Sequence, residues 1–283
     1  MPLEMKWKFI GVLIGMVIVA IVLWLYCIKP LSAPWRNGSL AHPVRFRQLL
    51  NDYGVVIIPQ VFTPEEVCAI YRDAKHVPAT SYGDIHSPYK RRDKALPLAH
   101  MKPYLKALYA KAPEFWSHVF PDYTLAECSL LTSYSGAKAQ MWHSDTEYDE
   151  NALELVSMGI TLCDVDATRG PLEVFPGGIN NRIISWIDDA YTDCILNGCS
   201  PMACTCPAGS LVFWSSQVVH RGSANRSREN RPVFYVSFLE SPESSPESSS
   251  IPKTPPYGAT YTLSPADRAS LPVAFRPDAL SQS

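Results

Sequence analysis

Gln140-Met141-Trp142-His143-Ser144-Asp145, taken with His220 far downstream, is the stretch on which the reading of this chain turns. In an extended strand residues i and i+2 share a face. His143 and Asp145 can therefore reach one ion while Ser144 points away. Two imidazoles and one carboxylate can occupy one face of an octahedral Fe(II) and leave the opposite face open. A single carboxylate leaves the ion with positive charge to hold an anionic co-substrate. His220 has to be returned to the site by intervening strands. An H-x-D pair alone is weak evidence, because most such pairs are solvated loop residues, so the surroundings carry the assignment.

Those surroundings read as strands. Ala126 to Tyr134, Leu153 to Val165, Leu172 to Phe175, Ser210 to Trp214 and Val233 to Leu239 are apolar or β-branched runs. Turn signals at Ser135-Gly136, Thr168-Arg169-Gly170-Pro171 and Pro176-Gly177-Gly178 separate them. On the N-terminal side, Val55-Val56-Ile57-Ile58 forms a further buried strand between two helical patterns. The first helix covers Val44 to Asp52. The second opens at Thr63-Pro64-Glu65-Glu66, with Thr63 as N-cap, Pro64 at N1 and Glu66 closing a capping box, and runs to about Lys75. Residues 76–100, with the basic run Lys90-Arg91-Arg92, read as an exposed loop with solvated charges. A helical pattern resumes from Met101 to Val119. With 25 prolines and 14 glycines, the expected class is mainly β with flanking helices.

The ends differ in character. Residues 1–8 form a short tail. Phe9 to Ile28 is an uncharged run flanked by Lys6, Lys8 and Lys29, with Trp7, Trp24 and Tyr26 towards its ends. About 20 such residues span a bilayer as a helix, and aromatics favour its interfaces. The run is longer than a usual signal-peptide core, and Pro34 would hinder cleavage just after it. One N-terminal transmembrane helix over 9–28, in contact with a lipid bilayer, is therefore expected. A linker at 29–43 leads to a domain at 44–240, a Ser/Pro/Glu-rich linker at 241–256 and a tail at 257–283. The endoplasmic reticulum is one candidate membrane, and a slight excess of flanking positive charge argues for a cytosolic domain. The sequons at Asn37 and Asn225 argue the same way, a glycan at Asn225 being an obstruction beside the site. Charge is nearly balanced, with 25 basic and 27 acidic residues, which excludes a basic field for nucleic acid. Of eight cysteines, Cys68, Cys128 and Cys163 read as core residues. Cys194, Cys199, Cys204 and Cys206 read as thiols or disulfides rather than a zinc knuckle, for want of a C-x-x-C pair.

Four stretches in order resemble the phytanoyl-CoA dioxygenase superfamily over residues 44–240. They are Leu50 to Pro59 followed by Thr63 to Glu66; Gln140 to Asp145; Gly170-Pro171-Leu172-Glu173-Val174-Phe175-Pro176-Gly177; and Pro207 to Trp214 followed by His220 to Asn225 with Arg231. The resemblance implies a double-stranded β-helix of the jelly-roll or cupin kind. It implies Fe(II), with 2-oxoglutarate and O₂ as co-substrates, and oxidation of an unactivated C–H bond of a small molecule, forming succinate and CO₂. By position His143, Asp145 and His220 would be the metal ligands, Arg231 would hold the distal carboxylate of 2-oxoglutarate, and Gln140 would touch it. A guanidinium fork matches a carboxylate bidentately and keeps its charge. Gly178-Ile179 departs from the family's frequent Ser-His after Pro-Gly.

Bland readings stand beside these. His143 and His220 could be ordinary polar and strand-end residues, Arg226 and Arg228 compete with Arg231, and Gln140 could be structural. His86, His100, His118, Trp142 and Trp214 receive no role beyond lining a pocket. A catalytically silent membrane-anchored barrel and a zinc hydrolase on a cupin-like barrel are the alternatives. The anchor suggests an apolar or membrane-derived substrate.

Overall fold

The strand Arg231-Pro232-Val233-Phe234-Tyr235-Val236-Ser237-Phe238 alternates between two environments, and the whole molecule follows from that alternation. Phe234, Val236 and Phe238 are fully buried in an apolar core shared with helices. Arg231, Val233 and Tyr235, on the other face, line a cavity.

The computed structural model describes residues 33–78, 81–83, 90–121, 123–146, 153–177 and 200–240. Among these are helices α1 (Pro43–Tyr53), α2 (Pro64–His76), α3 (Leu98–Lys111) and α4 (Pro113–Val119). The strands are β1 (Val55–Ile58), β2 (Ser81–Gly83), β3 (Arg91–Ala95), β4 (Tyr123–Ser133), β5 (Leu155–Thr161), β6 (Leu172–Val174), β7 (Met202–Ala203), β8 (Leu211–Ser215), β9 (His220–Gly222) and β10 (Arg231–Glu240). A seven-stranded sheet runs β1-β8-β5-β10-β4-β3-β2, and a three-stranded sheet runs β7-β6-β9. All their pairings are antiparallel. Two antiparallel sheets holding a cavity lined from both make the jelly-roll-like arrangement expected of the sequence.

β10 lies between β4 and β5, with Tyr235 opposite Ser129 on one side and Gly159 on the other. Its helix-facing side packs against aromatic residues. Trp116 is fully buried and meets Phe115 edge-on at 5.1 Å, with Phe120, Phe213 and Phe238 at 6.1–6.2 Å. Phe46 of α1 adds edge contacts to Phe115 and Phe213. The Thr63 capping box forms as read: the Thr63 hydroxyl accepts from Glu66 N–H and the Glu66 carboxylate accepts from Thr63 N–H. The α1 helix ends on Gly54 at φ 70°, a left-handed cap that glycine adopts without strain.

Three readings are corrected. The pattern from Met101 to Val119 is two helices, because Pro113 has no N–H to continue the first and instead starts the second. Residues 76–100 are not simply an exposed loop. They contain β2 and β3, and β3 pairs with β4 over its full length, which carries Arg91 into the interior at 6 % exposure. Cys68 is exposed rather than a core residue, as it lies on the outer face of α2. No helix of the described residues is long and apolar enough to cross a membrane. The run at 9–28, Cys194, Cys199, the departure at Gly178-Ile179, and residues 241–283 lie outside the described residues.

Replacing Trp116 with alanine should cost roughly 3–5 kcal/mol, the range for deleting a fully buried aromatic side chain. Chemical denaturation of wild type and variant reads it. A loss under about 1 kcal/mol would mean that this layer does not hold the helices on the sheet.

Candidate metal centre and its cavity

The short β9 strand brings the two histidines together. His143 forms an isolated antiparallel bridge with His220, whose N–H donates to His143 O at 2.8 Å while His143 N–H donates to His220 O at 2.9 Å. Asp145 follows on the same edge, its N–H donating to Ser216 O at 2.7 Å. The expected strand over this stretch is reduced to that one bridge: Asp145 lies in a bend, and its bond to Ser216 sets it beside His143.

The tautomers follow from the hydrogen bonds. His143 Nδ1 lies 2.8 Å from Met141 O, and His220 Nδ1 lies 2.9 Å from Val218 O. A carbonyl only accepts, so both Nδ1 atoms carry the proton and both Nε2 atoms offer a lone pair. Asp145 Oδ1 sits 3.9 Å from His143 Nε2 and 3.5 Å from His220 Nε2. One donor atom from each residue falls within 4.8 Å of the others, close enough to hold one ion. Asp145 Oδ2 is turned away and accepts the Trp214 Nε1–H at 3.0 Å. Trp214 thus orients a carboxylate as well as lining the cavity, a role its sequence position did not signal.

Electrostatics suits a cation. Burial would raise the Asp145 carboxyl, but the neighbouring His220 and the Trp214 N–H outweigh it and hold Asp145 below its ordinary value. Burial, with the His220 charge adding to it, pushes His143 down to about 4, so it is neutral near pH 7 and ready to donate its lone pair. Burial lowers His220 too, yet Asp145 overrides it and raises His220. Two nitrogen donors and one anionic oxygen with ordered outer partners suit iron.

Arg231 and Gln140 line the same cavity as the triad. Arg231 is 6 % exposed, its Nε has no hydrogen-bond partner, and no acid pairs with it among the described residues. Burial pushes it down to about 10. Gln140 Oε1 accepts from Gly222 N–H at 2.8 Å, which leaves its amide nitrogen to donate elsewhere. A side chain on Gly222 would meet that Gln140 oxygen at 2.6 Å, so glycine there keeps the amide in place. Arg91 was read as solvated. It instead donates to Ser133 Oγ and to the carbonyls of Lys138, Gly222 and Ser223, tying β3 to the end of β9. The competitors Arg226 and Arg228 are exposed. Asn225 is only 1 % exposed and its amide donates to Ser133 O and Glu229 O, so it is not a glycan acceptor and says nothing about membrane side. Of the two states left open for the cysteine cluster, Cys204 and Cys206 show the free thiol among the described residues.

The phytanoyl-CoA dioxygenase (PhyH) family model matches residues 50–233. The chain belongs to that family. The PhyH match spans both sheets and all three triad residues. Similar solved structures include the epimerase SnoN in complex with Fe3+, alpha ketoglutarate and nogalamycin RO, at 16 % identity and TM-score 0.59 over 71 % of this chain and 85 % of that one. EvdO2 from Micromonospora carbonacea var. aurantiaca, complexed with 2-oxoglutarate, gives 18 % and 0.55 over 79 % and 96 %. EctD from S. alaskensis, with 2-oxoglutarate and 5-hydroxyectoine, gives 16 % and 0.56 over 72 % and 79 %. At such identities the likeness speaks for the fold. No curated protein matches the chain by sequence. Family and triad together make this PhyH protein an iron- and 2-oxoglutarate-dependent oxygenase.

One pH dependence follows from the cavity wall. Burial, with the charge of Asp93 adding to it, pushes Glu127 up to about 8 from its ordinary 4.5. The folded chain therefore holds a proton that the unfolded chain releases. Stability from this group is complete below about 4.5 and is lost as pH rises through about 8. Glu127→Gln should remove that fall, so the variant gains on wild type across this window. Denaturation curves at a series of pH values measure it, and parallel slopes in the two proteins would refute the shift.

Proposed function

We propose that His143, Asp145 and His220 bind Fe(II), that Arg231 binds the distal carboxylate of 2-oxoglutarate, and that Gln140 donates its amide to the same molecule. The bound iron and keto acid supply the oxidising chemistry with O₂, and hydroxylation of an unactivated C–H bond is the outcome we assign. The single observation that carries this reading is Arg231. A guanidinium only 6 % exposed, without an acid partner among the described residues, in the cavity of a two-histidine, one-carboxylate cluster is a site for an anionic co-substrate.

The protein's own part is placement. Asp145, locked by Trp214, gives the ion one fixed oxygen, and the two carbonyl-anchored imidazoles fix the other two directions. Arg231 lies in β10 of the large sheet, whereas His220 lies in β9 of the small one. A keto acid bridging them would span the cavity and leave the remaining walls for substrate. Those walls include Leu131, Val212, Val233 and Trp214, which accept an apolar body and keep water from it.

The run at 9–28 belongs to the same proposal as a single-span membrane anchor, supported by its length, its uncharged composition and its aromatic flanks. With the domain on the cytosolic side, it sets the enzyme beside membrane-derived substrates. Deleting residues 1–30 should move the protein from the membrane pellet to the soluble fraction. Equal partitioning of both forms would remove the anchor.

Anaerobic titration with Fe(II) and then 2-oxoglutarate, followed by visible absorption, tests the centre. Wild type should develop a charge-transfer band. His143→Ala should fail to bind iron. Arg231→Leu should keep iron but weaken 2-oxoglutarate about tenfold to a hundredfold, the worth of a hydrogen bond to a charged group. No band from folded wild-type protein would sink the assignment and favour a silent barrel.

A further inference from the structure

The cavity has an acidic wall that the proposed cofactors do not use. Asp93 on β3 and Tyr235 on β10 line it together with the metal triad and Arg231. Glu127 on β4 stands behind Tyr235. The Tyr235 hydroxyl lies 2.8 Å from Asp93 Oδ2 and 2.7 Å from Glu127 Oε1. A phenol has one proton and can serve one carboxylate, so the other carboxyl must supply a proton of its own. Burial raises both carboxyls, and Glu127 is the one carried far, to about 8, which makes it the acid. Glu127 then donates to Tyr235, Tyr235 donates to Asp93, and Asp93 is left as the anion of the chain.

Among the described residues that anion has no ion-pair partner. Asp93 Oδ1 is shut off from solvent and accepts no hydrogen bond. The neighbouring Lys94 points its ammonium to the carbonyls of Ala74 and Lys75, at 2.9 Å each. Arg91 directs its two terminal nitrogens to Ser133 and three carbonyls rather than to Asp93. Burial raises the Asp93 carboxyl above its ordinary value, and Ser129, 1 % exposed beside it, works against that rise together with the Tyr235 hydroxyl. A buried carboxylate without a cation is costly, and a fold that only needed to join β3, β4 and β10 could do so with apolar pairs.

We infer that the Asp93 wall seats a protonated amine of the substrate, with Asp93 as counter-ion and the Tyr235–Glu127 pair fixing its orientation. The cavity then binds two opposite charges: the anionic co-substrate at Arg231 and the cationic substrate at Asp93. Leu131, Val212 and Val233 contact the hydrocarbon part between them. The substrate class is an amine with an apolar body, which sharpens the expectation of a purely apolar one. The inference rests on the oxygenase reading for calling that ligand the substrate, while the amine site itself stands on Asp93.

The test uses the full chain in detergent, with no iron or 2-oxoglutarate added, and two probes of nearly equal shape, cyclohexylmethylammonium and cyclohexylmethanol. Thermal unfolding is followed against probe concentration for wild type, Asp93→Asn and Tyr235→Phe. The ammonium should raise the wild-type midpoint and the alcohol should not. Asp93→Asn should bind the ammonium at least tenfold more weakly while unfolding, without probe, at or above the wild-type midpoint, because a buried uncompensated charge has gone. Tyr235→Phe should weaken binding severalfold and keep the preference for ammonium over alcohol. If Asp93→Asn instead unfolds well below wild type and neither probe discriminates, the acids merely brace the strands and the inference falls. Equal binding of ammonium and alcohol overturns the charge requirement. Failure here leaves the iron and 2-oxoglutarate titration untouched, and failure of that titration with amine binding intact would strike the oxygenase reading alone.

Discussion

The pair of backbone hydrogen bonds between His143 and His220 is the contact on which the site depends. It is a single antiparallel bridge, yet it sets the separation of two imidazoles carried by distant parts of the chain. With each ring anchored through Nδ1 to a carbonyl two residues before it, the direction of both Nε2 lone pairs is a consequence of backbone position. Asp145 is added from a bend held by its N–H to Ser216 O and is locked by Trp214 from the large sheet. Metal-binding geometry is thereby built from main-chain pairing and needs few dedicated side-chain contacts.

The large sheet makes this arrangement stable by dividing its two faces strictly. One face of β10, β4, β5 and β8 is aromatic and aliphatic, sealed by α1 and α4. The other carries Arg231, Tyr235 and Asp93 into a cavity, with Glu127 behind Tyr235. Hydrophobic burial on the first face supplies stability that the second can spend on charged groups without partners. Buried Arg231 and half-buried Asp93 are tolerable only in a fold held from behind. Their opposite charges, set in different strands of one sheet, give the cavity a polarity along which a ligand can be aligned.

Much of the candidate site was legible before any coordinates. His143 and Asp145 were expected to share a face because strands repeat every two residues, and His220 and Arg231 fall in blocks whose order resembles one family. The strands at 55–58, 155–161 and 231–240 announced themselves by β-branched and aromatic runs. Arg91, Asp93 and Glu127 did not. Lys90-Arg91-Arg92-Asp93 has the composition of a solvated loop, and only pairing with β4 makes it a strand with alternate residues inside. Trp214 was expected to do no more than line a pocket. The break at Ala112-Pro113 was visible, but a continuous apolar pattern masked it.

The sequence by itself determined ligand chemistry, local periodicity and the helix caps, since each depends on residues a few positions apart. Tertiary structure decided which charges are buried and what they face. Burial is a property of neighbours brought from far along the chain: Ser133 and Gly222 around Arg91, Tyr235 and Glu127 around Asp93, the cavity walls around Arg231. A charged side chain carries the same formula in solvent and in a core, and only the strands that close over it determine whether it is a solubilising group or a binding one.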